Sequence, residues 1–287
     1  MKTDLNKVID LQYIFRTVLN AGEQILKIYN DKNYDVKFKE DKTPLTLADT
    51  TSHEIICSSL KSVNDNIPVI SEEGFIPDFE ERKKLNFYWL VDPLDGTKEF
   101  LKRNGEFTVS IALIERNKPV FGIIYAPVRK EIFFAQKDKG SYKLFFNDKT
   151  KFSKLNGNFE TVLFSCSERL PNFKKSDESI NVVISRSHMS QETRDFIDIL
   201  KTKYRVNIIP VGGSLLKFCL VAEESADIYP RIGSPIYEWD TAAGHIIVEE
   251  AGGKVIDLKT GKPLTYNKEN LKVPSFIVLG KHMELPI

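Results

Sequence analysis

The sequence has no excess of charge of either sign. Its 287 residues include 41 Lys and Arg against 40 Asp and Glu, a formal net charge of +1. Dedicated nucleic-acid-binding domains usually carry a strong basic excess, so we expect no nucleic-acid partner. A small anionic ligand is not excluded, because a local cluster of cationic side chains can bind one.

Cysteine is scarce, and long apolar runs are absent. The three cysteines, Cys57, Cys166 and Cys219, lie far apart without a CxxC pair, which argues against a disulfide framework or a zinc site. We therefore expect free thiols in the core. No run approaches the roughly 20 apolar residues of a transmembrane helix. The N-terminal "MKTDLNKVIDLQYIF" contains acidic residues, which is not typical of a signal peptide, so we expect a cytoplasmic protein without a transmembrane segment.

Patterns of apolar residues divide the chain into two halves. Residues 1–160 contain two helical patterns, two short strands that end at Ser71 and Asp92, and an antiparallel meander. Residues 137–180 are polar and irregular. Residues 161–287 alternate strands with helices, which is typical of helices layered on a sheet. We predict an α+β protein with an N-terminal subdomain (1–160) and a C-terminal subdomain (161–287).

Acidic residues lie at the ends of these predicted elements. Glu72 directly follows the strand in "PVISEEG", and the strand in "YWLVDPLDG" ends at Asp92, with Asp95 three residues later. Asp240 opens a later helix, and Asp49 lies in the first turns of the second helix. Carboxylate oxygens are hard ligands that suit Mg²⁺. Two acids at i and i+3 across a Pro-Leu turn can face one point, together with a backbone carbonyl between them.

Each acidic signal has an ordinary structural alternative. Asp-Pro and Asp-Gly are common in turns, where Asp side chains cap their own backbone. Glu72 and Glu73 alone suit a solvated pair, and Asp240 alone suits a helix N-cap. Their joint occurrence at element ends favours a metal site, although spacing does not show that they meet in space.

The stretch "DGTKEF" adds a phosphate-binding signal. Gly96 lets the backbone approach a ligand closely, and Thr97 supplies a hydroxyl group. If a short helix starts here, the N–H groups of both residues can bind phosphate oxygens. Carboxylate-bound metal beside such a turn suits phosphoryl transfer.

These motifs resemble those of a known family. "WLVDPLDGTKEF" with "WDTAAGHIIVEEAGG" resembles the two signature motifs of the inositol monophosphatase superfamily, whose members are Mg²⁺-dependent, lithium-sensitive phosphatases. "RNGEF", "VISRSH" and "SLLKFCLVAEESADIYPR" further resemble its branch of bacterial 3'(2'),5'-bisphosphate nucleotidases of the CysQ type. The resemblance implies a layered αβαβα sugar-phosphatase-like fold, with the metal site between two subdomains and two or three Mg²⁺ per site. Lys98 and Glu99 mark this branch, and no chemical role is assigned to Lys98.

The resemblance also implies roles for individual residues. The implied metal ligands are Glu72, Asp92, the Leu94 carbonyl, Asp95 and Asp240. Water activation is implied for Asp49, Thr97 and Glu72, phosphate binding for Gly96 and Thr97, and nucleotide contacts for His188, Ser214, Lys217 and Arg231. The last group has alternatives: a histidine satisfied by backbone, a lysine that extends to solvent and an arginine paired with a surface acid. We expect His53 and His245 to be structural, since no metal-binding histidine spacing appears.

The implied reaction is hydrolysis of the 3'-phosphate of adenosine 3',5'-bisphosphate to AMP and phosphate, with a role in sulfur metabolism. Activity on the sulfated nucleotide PAPS stays open, as do the oligomeric state and peripheral attachment to the inner face of the cell membrane. An alternative within the enzymes is an inositol monophosphatase or a sugar-bisphosphate phosphatase. A second alternative is a non-catalytic module that binds a nucleotide or Mg²⁺.

Overall fold

Two helices precede the first large sheet. The computed structural model describes residue 5 and residues 8–31, 36–38, 44–146, 159–172 and 179–285. Asp10 caps the first helix by accepting a hydrogen bond from Tyr13 N at 3.0 Å. In chain order the elements are α1 (Leu11–Asn30), β1 (Val36–Phe38), β2 (Pro44–Thr46) and α2 (Leu47–Val63). The two predicted helices are confirmed, whereas the antiparallel hairpin of β1 and β2 was not predicted.

A seven-stranded sheet forms the centre of the first half. Its strands, in spatial order, are β3 (Val69–Ser71), β4 (Phe87–Asp95), β5 (Thr108–Glu115), β6 (Lys118–Ala126), β7 (Glu131–Gln136), β8 (Gly140–Phe145) and β9 (Glu168–Arg169). β3 runs parallel to β4, and the other neighbouring pairs are antiparallel, which confirms the meander. In the part of the chain that the structure describes, three helices are inserted between these strands: α3 (Phe79–Arg82), α4 (Thr97–Leu101) and α5 (Phe159–Cys166).

The interpretation of residues 137–180 as irregular was wrong where β8, α5 and β9 lie. Lys143 interrupts the apolar pattern of β8 and hides this strand in the sequence. Its ammonium group pairs with Glu131 at 2.9 Å and with Glu223 at 2.7 Å. A buried charge is tolerated when it is paired in this way, so the strand continues through the lysine.

A five-stranded sheet forms the centre of the second half. The elements in chain order are β10 (Ile180–Ser185), α6 (Gln191–Lys203), β11 (Val206–Val211), α7 (Leu215–Ala222), β12 (Ile228–Arg231), β13 (Ile236–Tyr237), α8 (Ala242–Glu250), β14 (Lys254–Asp257), β15 (Lys272–Val273) and β16 (Phe276–Leu279). The sheet has the order β11-β10-β12-β16-β14, with β10, β11 and β12 parallel and β16 antiparallel to its neighbours. The predicted alternation of strands and helices is confirmed, but the strands β13, β15 and β16 were not predicted.

The sheets and helices stack in five layers. α1 and α2 cover one face of the seven-stranded sheet, where Val18 and Ile111 belong to one buried cluster. α7 and α8 lie between the two sheets, because Phe218 shares a second cluster with Tyr88 and Phe276. α6 covers the outer face of the five-stranded sheet through a third cluster with β10, β12 and β16. The layered αβαβα fold is therefore confirmed.

The position of the subdomain boundary stays a prediction. The seven-stranded sheet ends at Arg169 and the five-stranded sheet begins at Ile180, so a division between residues 160 and 161 would cut α5. α8 also packs on β6 of the first half, since Ile246 and Ala243 closely approach Gly122. The two halves therefore share a core.

The three cysteines are free, but they do not share one environment. Cys219 is buried as expected, whereas Cys57 is half-buried and Cys166 is exposed at the end of α5. The expectation of core thiols was wrong for Cys166, because its position at the end of a short helix faces solvent. None of the described helices combines the length and the apolar composition needed to cross a bilayer.

The close packing of α8 on β6 predicts that Gly122→Ala destabilises the protein. A Cβ atom at this position would lie 2.6 Å from Ile246 Cγ2 and 2.7 Å from the Ala243 carbonyl oxygen. We expect a loss of about 1–3 kcal/mol in the free energy of unfolding through overpacking, measured by urea denaturation. Gly280→Ala is the matched control, since its nearest new contact is 3.4 Å. Equal stability of the two variants would contradict the close helix–sheet approach.

Candidate active site

Asp92 and Asp95 lie on one strand, on either side of a β-bulge. Asp92 is opposite Ser110 and Asp95 is opposite Thr108, so β4 contains one residue more than β5 over this span. In a regular strand, residues i and i+3 point to opposite faces. The bulge instead brings both carboxylates to one side. The predicted strand end at Asp92 was therefore wrong, because β4 continues through the bulge to Asp95.

Asp240 joins these two residues from the other half of the chain. Carboxylate oxygens of Asp92, Asp95 and Asp240, hereafter the acid trio, lie within 4.8 Å of one another. Asp240 stands in a short 3-10 turn and accepts a hydrogen bond from Tyr237 N at 2.7 Å. α8 begins only at Ala242, so Asp240 is neither the start of this helix nor its N-cap. The prediction that it opens the helix was wrong, because Asp240 is the last residue of the 3-10 turn and the helix begins two residues later.

The acid trio is crowded with negative charge. Asp92 is fully buried, and within the described ranges its Oδ2 atom has no hydrogen-bond partner. Burial, followed by the charges of Glu72 and Asp95, raises the pKa of Asp92 well above its ordinary value, and the same causes raise the pKa of Asp240. A divalent cation would relieve this repulsion and supply a partner for Oδ2. The residues present therefore fit a divalent metal ion.

Glu72 follows β3 and borders the same cleft. Its N–H donates to the Val91 carbonyl at 3.1 Å, which extends the pairing of β3 with β4 by one residue. Its carboxylate is not part of the acid trio, but its charge helps to raise the pKa of Asp92, Asp240 and Asp49. The structure thus brings Glu72 near the other predicted metal ligands, and its role as a ligand stays a prediction.

Asp49 reaches the site through Thr97. Its Oδ2 atom accepts hydrogen bonds from Thr46 N at 2.7 Å and Thr46 Oγ1 at 2.6 Å. Its Oδ1 atom accepts a hydrogen bond from Thr97 Oγ1 at 3.0 Å. Burial is the main cause that raises the pKa of Asp49, to about 6. The hydrogen bonds from Thr46 and Thr97 lower this pKa but do not cancel the effect of burial. A carboxylate of this pKa can act as a general base near neutral pH.

The helix expected after Gly96 is present as α4. Gly96 has a φ of 92°, in the left-handed region, and a Cβ atom there would lie 3.0 Å from the Glu106 carbonyl oxygen. Thr97 is the first residue of α4. Ser52 Oγ holds the preceding turn by donating to the Pro93 carbonyl at 2.7 Å. The geometry permits the predicted phosphate-binding role of Gly96 and Thr97, which stays a prediction.

These residues border a cleft with a volume of about 290 Å³. Its lining includes most predicted site residues, namely Glu72, Asp92, Leu94, Asp95, Gly96, Thr97, His188, Ser214, Lys217, Arg231 and Asp240. Asp49 does not line the cleft but contacts Thr97, which does. The lining also contains Lys98, Tyr237 and Trp239, for which no role was predicted. The volume is close to the lower end for small-molecule sites.

Cationic side chains line the cleft beside the acids. Lys217 is only 1% exposed and donates hydrogen bonds to the Val211 and Gly213 carbonyls. Burial is the main cause that lowers its pKa to about 8. The alternative that this lysine extends to solvent was therefore wrong. Arg231 is buried and donates from Nε to the Ser234 carbonyl at 2.8 Å.

His188 lies beside this cationic group. Its Nε2 atom is 2.8 Å from Lys98 Nζ, so a neutral imidazole can accept a hydrogen bond from the ammonium group. Partial burial of the ring is the largest cause that lowers the pKa of His188, and the positive charges of Lys98 and Arg231 lower it further. His188 therefore favours its neutral form in the free protein.

Asp95 connects the acid trio to α7. It accepts hydrogen bonds from Ser214 N at 2.9 Å and from Leu215 N at 2.8 Å, at the N-terminus of α7. A carboxylate is favoured at this end of a helix, and its two oxygens offer further acceptor positions for a metal. Gly213 permits the approach, since a Cβ atom there would lie 2.9 Å from Asp95 Oδ2. The helix that carries Lys217 is thus fixed to the acids.

Some supporting residues were missed, and others were correctly read as structural. Thr46 was missed, although Thr46-x-x-Asp49 is a capping-box pattern visible in the sequence. The contact of Lys98 with His188 has no comparable local signal. His53 contacts Ser71 Oγ at 2.8 Å, and His245 contacts the Tyr266 hydroxyl at 2.9 Å. Both histidines are therefore partnered inside the fold, as expected.

Comparison with known proteins assigns this geometry to a family. A model described as the inositol monophosphatase family matches residues 5–285. The chain belongs to the inositol monophosphatase family. The resemblance seen in the two signature motifs is thereby confirmed, and the acid trio agrees with the divalent-metal dependence of this family.

Relatives within the family align over nearly the whole chain. The Escherichia coli K12 protein named 3'(2'),5'-bisphosphate nucleotidase CysQ is 40% identical over 270 residues, covering 93% of this chain and 98% of the relative. The crystal structure of CysQ from Bacteroides thetaiotaomicron is 44% identical with a TM-score of 0.82, covering 94% of this chain and 97% of that chain. The structure of an IMPase from Thermotoga maritima is 23% identical with a TM-score of 0.72. The match covers 94% of this chain and 92% of that chain, and the two share the fold.

The crowding of the acid trio predicts that Asp92→Asn stabilises the metal-free protein. The raised pKa of Asp92 means that the folded state binds its proton more tightly than the unfolded state does. The free energy of unfolding should therefore fall as the pH rises from about 4 through the folded pKa. At pH 8 with EDTA, we expect Asp92→Asn to be more stable than wild type by about 1–3 kcal/mol, the scale for an unsatisfied buried group.

Urea denaturation with EDTA between pH 4 and pH 8 measures this difference, which should shrink towards pH 4. Added Mg²⁺ should stabilise wild type more than Asp92→Asn, because a ligand stabilises the state that binds it. Asp65→Asn is the control, since Asp65 is exposed and lies outside the cleft lining. A variant less stable than wild type at pH 8 in EDTA would contradict the crowding of the trio.

Proposed function

We propose that the protein is a Mg²⁺-dependent phosphatase that hydrolyses the 3'-phosphate of adenosine 3',5'-bisphosphate to AMP and phosphate. The observation that carries this proposal is one cleft that contains the acid trio, Thr97 with its Asp49 partner, and the cations Lys217 and Arg231. The 3'(2'),5'-bisphosphate nucleotidase relatives support a nucleotide substrate.

The acidic side of the cleft would hold the metal. The residues for this are Asp92, Asp95 and Asp240, with Glu72 and the Leu94 carbonyl, and they would serve two or three Mg²⁺. When bound, Mg²⁺ supplies Lewis-acid chemistry that makes water a better nucleophile and neutralises phosphate charge. Asp92 contributes an oxygen without a described protein partner, and Asp95 and Asp240 are held by backbone N–H groups. These bonds keep the carboxylates in place before metal binds.

Asp49 and Thr97 would move the proton of the attacking water. Thr97 Oγ1 donates to Asp49 Oδ1, so its oxygen lone pairs can accept a hydrogen bond from water. A proton can then pass through the hydroxyl group to Asp49. Thr46 holds the other oxygen of Asp49 and keeps Oδ1 directed at Thr97.

The cationic side of the cleft would recognise the rest of the nucleotide. Lys217 and Arg231 can pair with a second phosphate group, and His188 and Ser214 offer polar contacts beside them. The N–H groups of Gly96 and Thr97 would bind the phosphate that is transferred. The phosphate that is transferred would thus lie on the acidic side of the cleft, and the second phosphate, which is only bound, would lie on the cationic side.

Two other functions remain as outcomes of the test. An inositol monophosphatase would use the same acids but would not need the cations Lys217 and Arg231 for a second phosphate group, whereas a sugar-bisphosphate phosphatase would. A non-catalytic module that binds a nucleotide or Mg²⁺ would not need the Asp49–Thr97 pair. PAPS is a further substrate to be tested, since it carries the same 3'-phosphate.

Assays of phosphate release from three different substrates decide between these functions. We expect the highest kcat/KM with adenosine 3',5'-bisphosphate, lower values with inositol 1-phosphate and fructose 1,6-bisphosphate, and no turnover in EDTA. Asp49→Asn should lower kcat by about 10²- to 10⁴-fold, the usual contribution of a general base, while Mg²⁺ binding persists. Asp65→Asn should leave kcat unchanged. Preference for inositol 1-phosphate, or unchanged turnover in Asp49→Asn, would contradict the proposal.

A further inference from the structure

Three successive residues of the second half contact charged side chains of the first half. Residues 186–188 follow β10, and residues 98–106 contain most of α4 and the loop after it. The two segments meet side chain by side chain, through Arg186 with Glu106, Ser187 with Glu99 and Lys102, and His188 with Lys98. The same stretches, "DGTKEF", "RNGEF" and "SRSH", distinguish the nucleotidase branch in the sequence, so the branch motifs are in physical contact.

Arg186 and Glu106 form the outermost of these contacts. Arg186 donates from Nε and Nη2 to the two oxygens of Glu106, at 3.2 and 2.8 Å. Nη2 also donates to the Pro210 carbonyl at 2.8 Å. Glu106 in turn accepts a hydrogen bond from Gly212 N at 2.6 Å. This pair therefore fixes both residues 186–188 and the turn that leads into α7.

Glu99 and Lys102 hold the middle residue of the segment. Glu99 is 3% exposed and accepts a hydrogen bond from Ser187 Oγ at 2.7 Å. Lys102 Nζ donates to Ser187 Oγ at 2.7 Å and lies 3.3 Å from Glu99 Oε1. Asn104 also donates to Glu99. Ser187 is thus bound from both sides by an acid and a base of the first half.

Gly212 shows how closely the two halves approach here. A Cβ atom at Gly212 would lie 2.4 Å from Glu99 Cγ and 2.9 Å from Glu106 Oε2. The turn that begins with Gly212 leads through Ser214 into α7, which carries Lys217. The same two glutamates therefore border both segments that bring His188 and Lys217 to the cleft.

We propose that Arg186 and Glu106 are positioning residues that set the preference for a substrate with a second phosphate group. Neither residue lines the cleft, so any effect on substrate must act through the residues that they hold. The segments held by this pair lead to His188, two residues after Arg186, and through the turn at Gly212 to Lys217 on α7, both on the cationic side of the cleft. The transferred phosphate instead depends on Gly96, Thr97 and the acid trio. The backbone carbonyl of Glu106 lies next to Gly96, but the side chains of Arg186 and Glu106 bond to each other, to the Pro210 carbonyl and to Gly212 N rather than to those residues. This role rests on the proposed function. It assigns the enzyme's preference for a bisphosphate substrate to a contact between the two halves of the chain.

The test compares two substrates that differ in the second phosphate only: adenosine 3',5'-bisphosphate and adenosine 3'-monophosphate. We expect Arg186→Met to raise KM for the bisphosphate by roughly three- to tenfold, the scale of a lost charge-assisted contact, with little change in kcat. The kcat/KM for the monophosphate should stay the same. Glu106→Gln should act similarly, and the double variant should be no worse than Arg186→Met, because both substitutions remove one interaction.

Two further variants make the outcome decisive. Arg186→Lys keeps the charge but loses the two-pronged contact, so its KM should lie between those of wild type and Arg186→Met. Asp198→Asn is the control, because it breaks the exposed Asp198–Lys201 pair on α6. Equal losses of kcat/KM on both substrates, or no change on either, would overturn the inference. Loss of folding in every variant would also overturn it, since the pair would then serve stability.

The failure of this inference is distinguishable from failure of the proposed function. If wild type does not release phosphate from the bisphosphate, the proposed function fails. If wild type prefers the bisphosphate and the folded Arg186 and Glu106 variants keep the same preference, only the positioning role fails.

Discussion

Repulsion among Asp92, Asp95 and Asp240 is the interaction on which the rest of the site depends. Their oxygens lie within 4.8 Å of one another, and free side chains would move apart. The fold prevents this, because the β-bulge fixes the first two and backbone N–H groups hold Asp95 and Asp240. The result is a concentrated negative potential in a partly buried place, where a divalent cation interacts most favourably.

The restraints on the acid trio also join the two halves of the chain. Asp95 belongs to the seven-stranded sheet but binds the N-terminus of α7, and Asp240 precedes α8, which packs on β6. Arg186 and Glu106 add a second connection at the border of the cleft. The acidic and cationic sides therefore keep a fixed relation, which the proposed hydrolysis of a bisphosphate requires.

The sequence predicted the chemistry better than the geometry. Acids after buried strands and the Gly96-Thr97 turn are local patterns, so they could be read directly. The bulge depends on pairing with β5, and burial of Lys143 depends on Glu131 and Glu223, which lie elsewhere in the chain. The contact of Arg186 with Glu106 spans 80 residues and has no local signature. Long-range pairing of this kind is set by the tertiary fold, and no spacing rule for one segment reveals it.

The central claim is that the acid trio is a divalent-metal site whose carboxylates are crowded before metal binds. Calorimetric titration of the metal-free protein with Mg²⁺ at pH 6, in buffers of different ionisation enthalpy, tests it most directly. Because the pKa values of Asp92 and Asp240 are raised, binding should release protons to the buffer, and Asp240→Asn should weaken binding and reduce this release. Mg²⁺ binding without proton release, or with equal affinity in Asp240→Asn, would contradict the account.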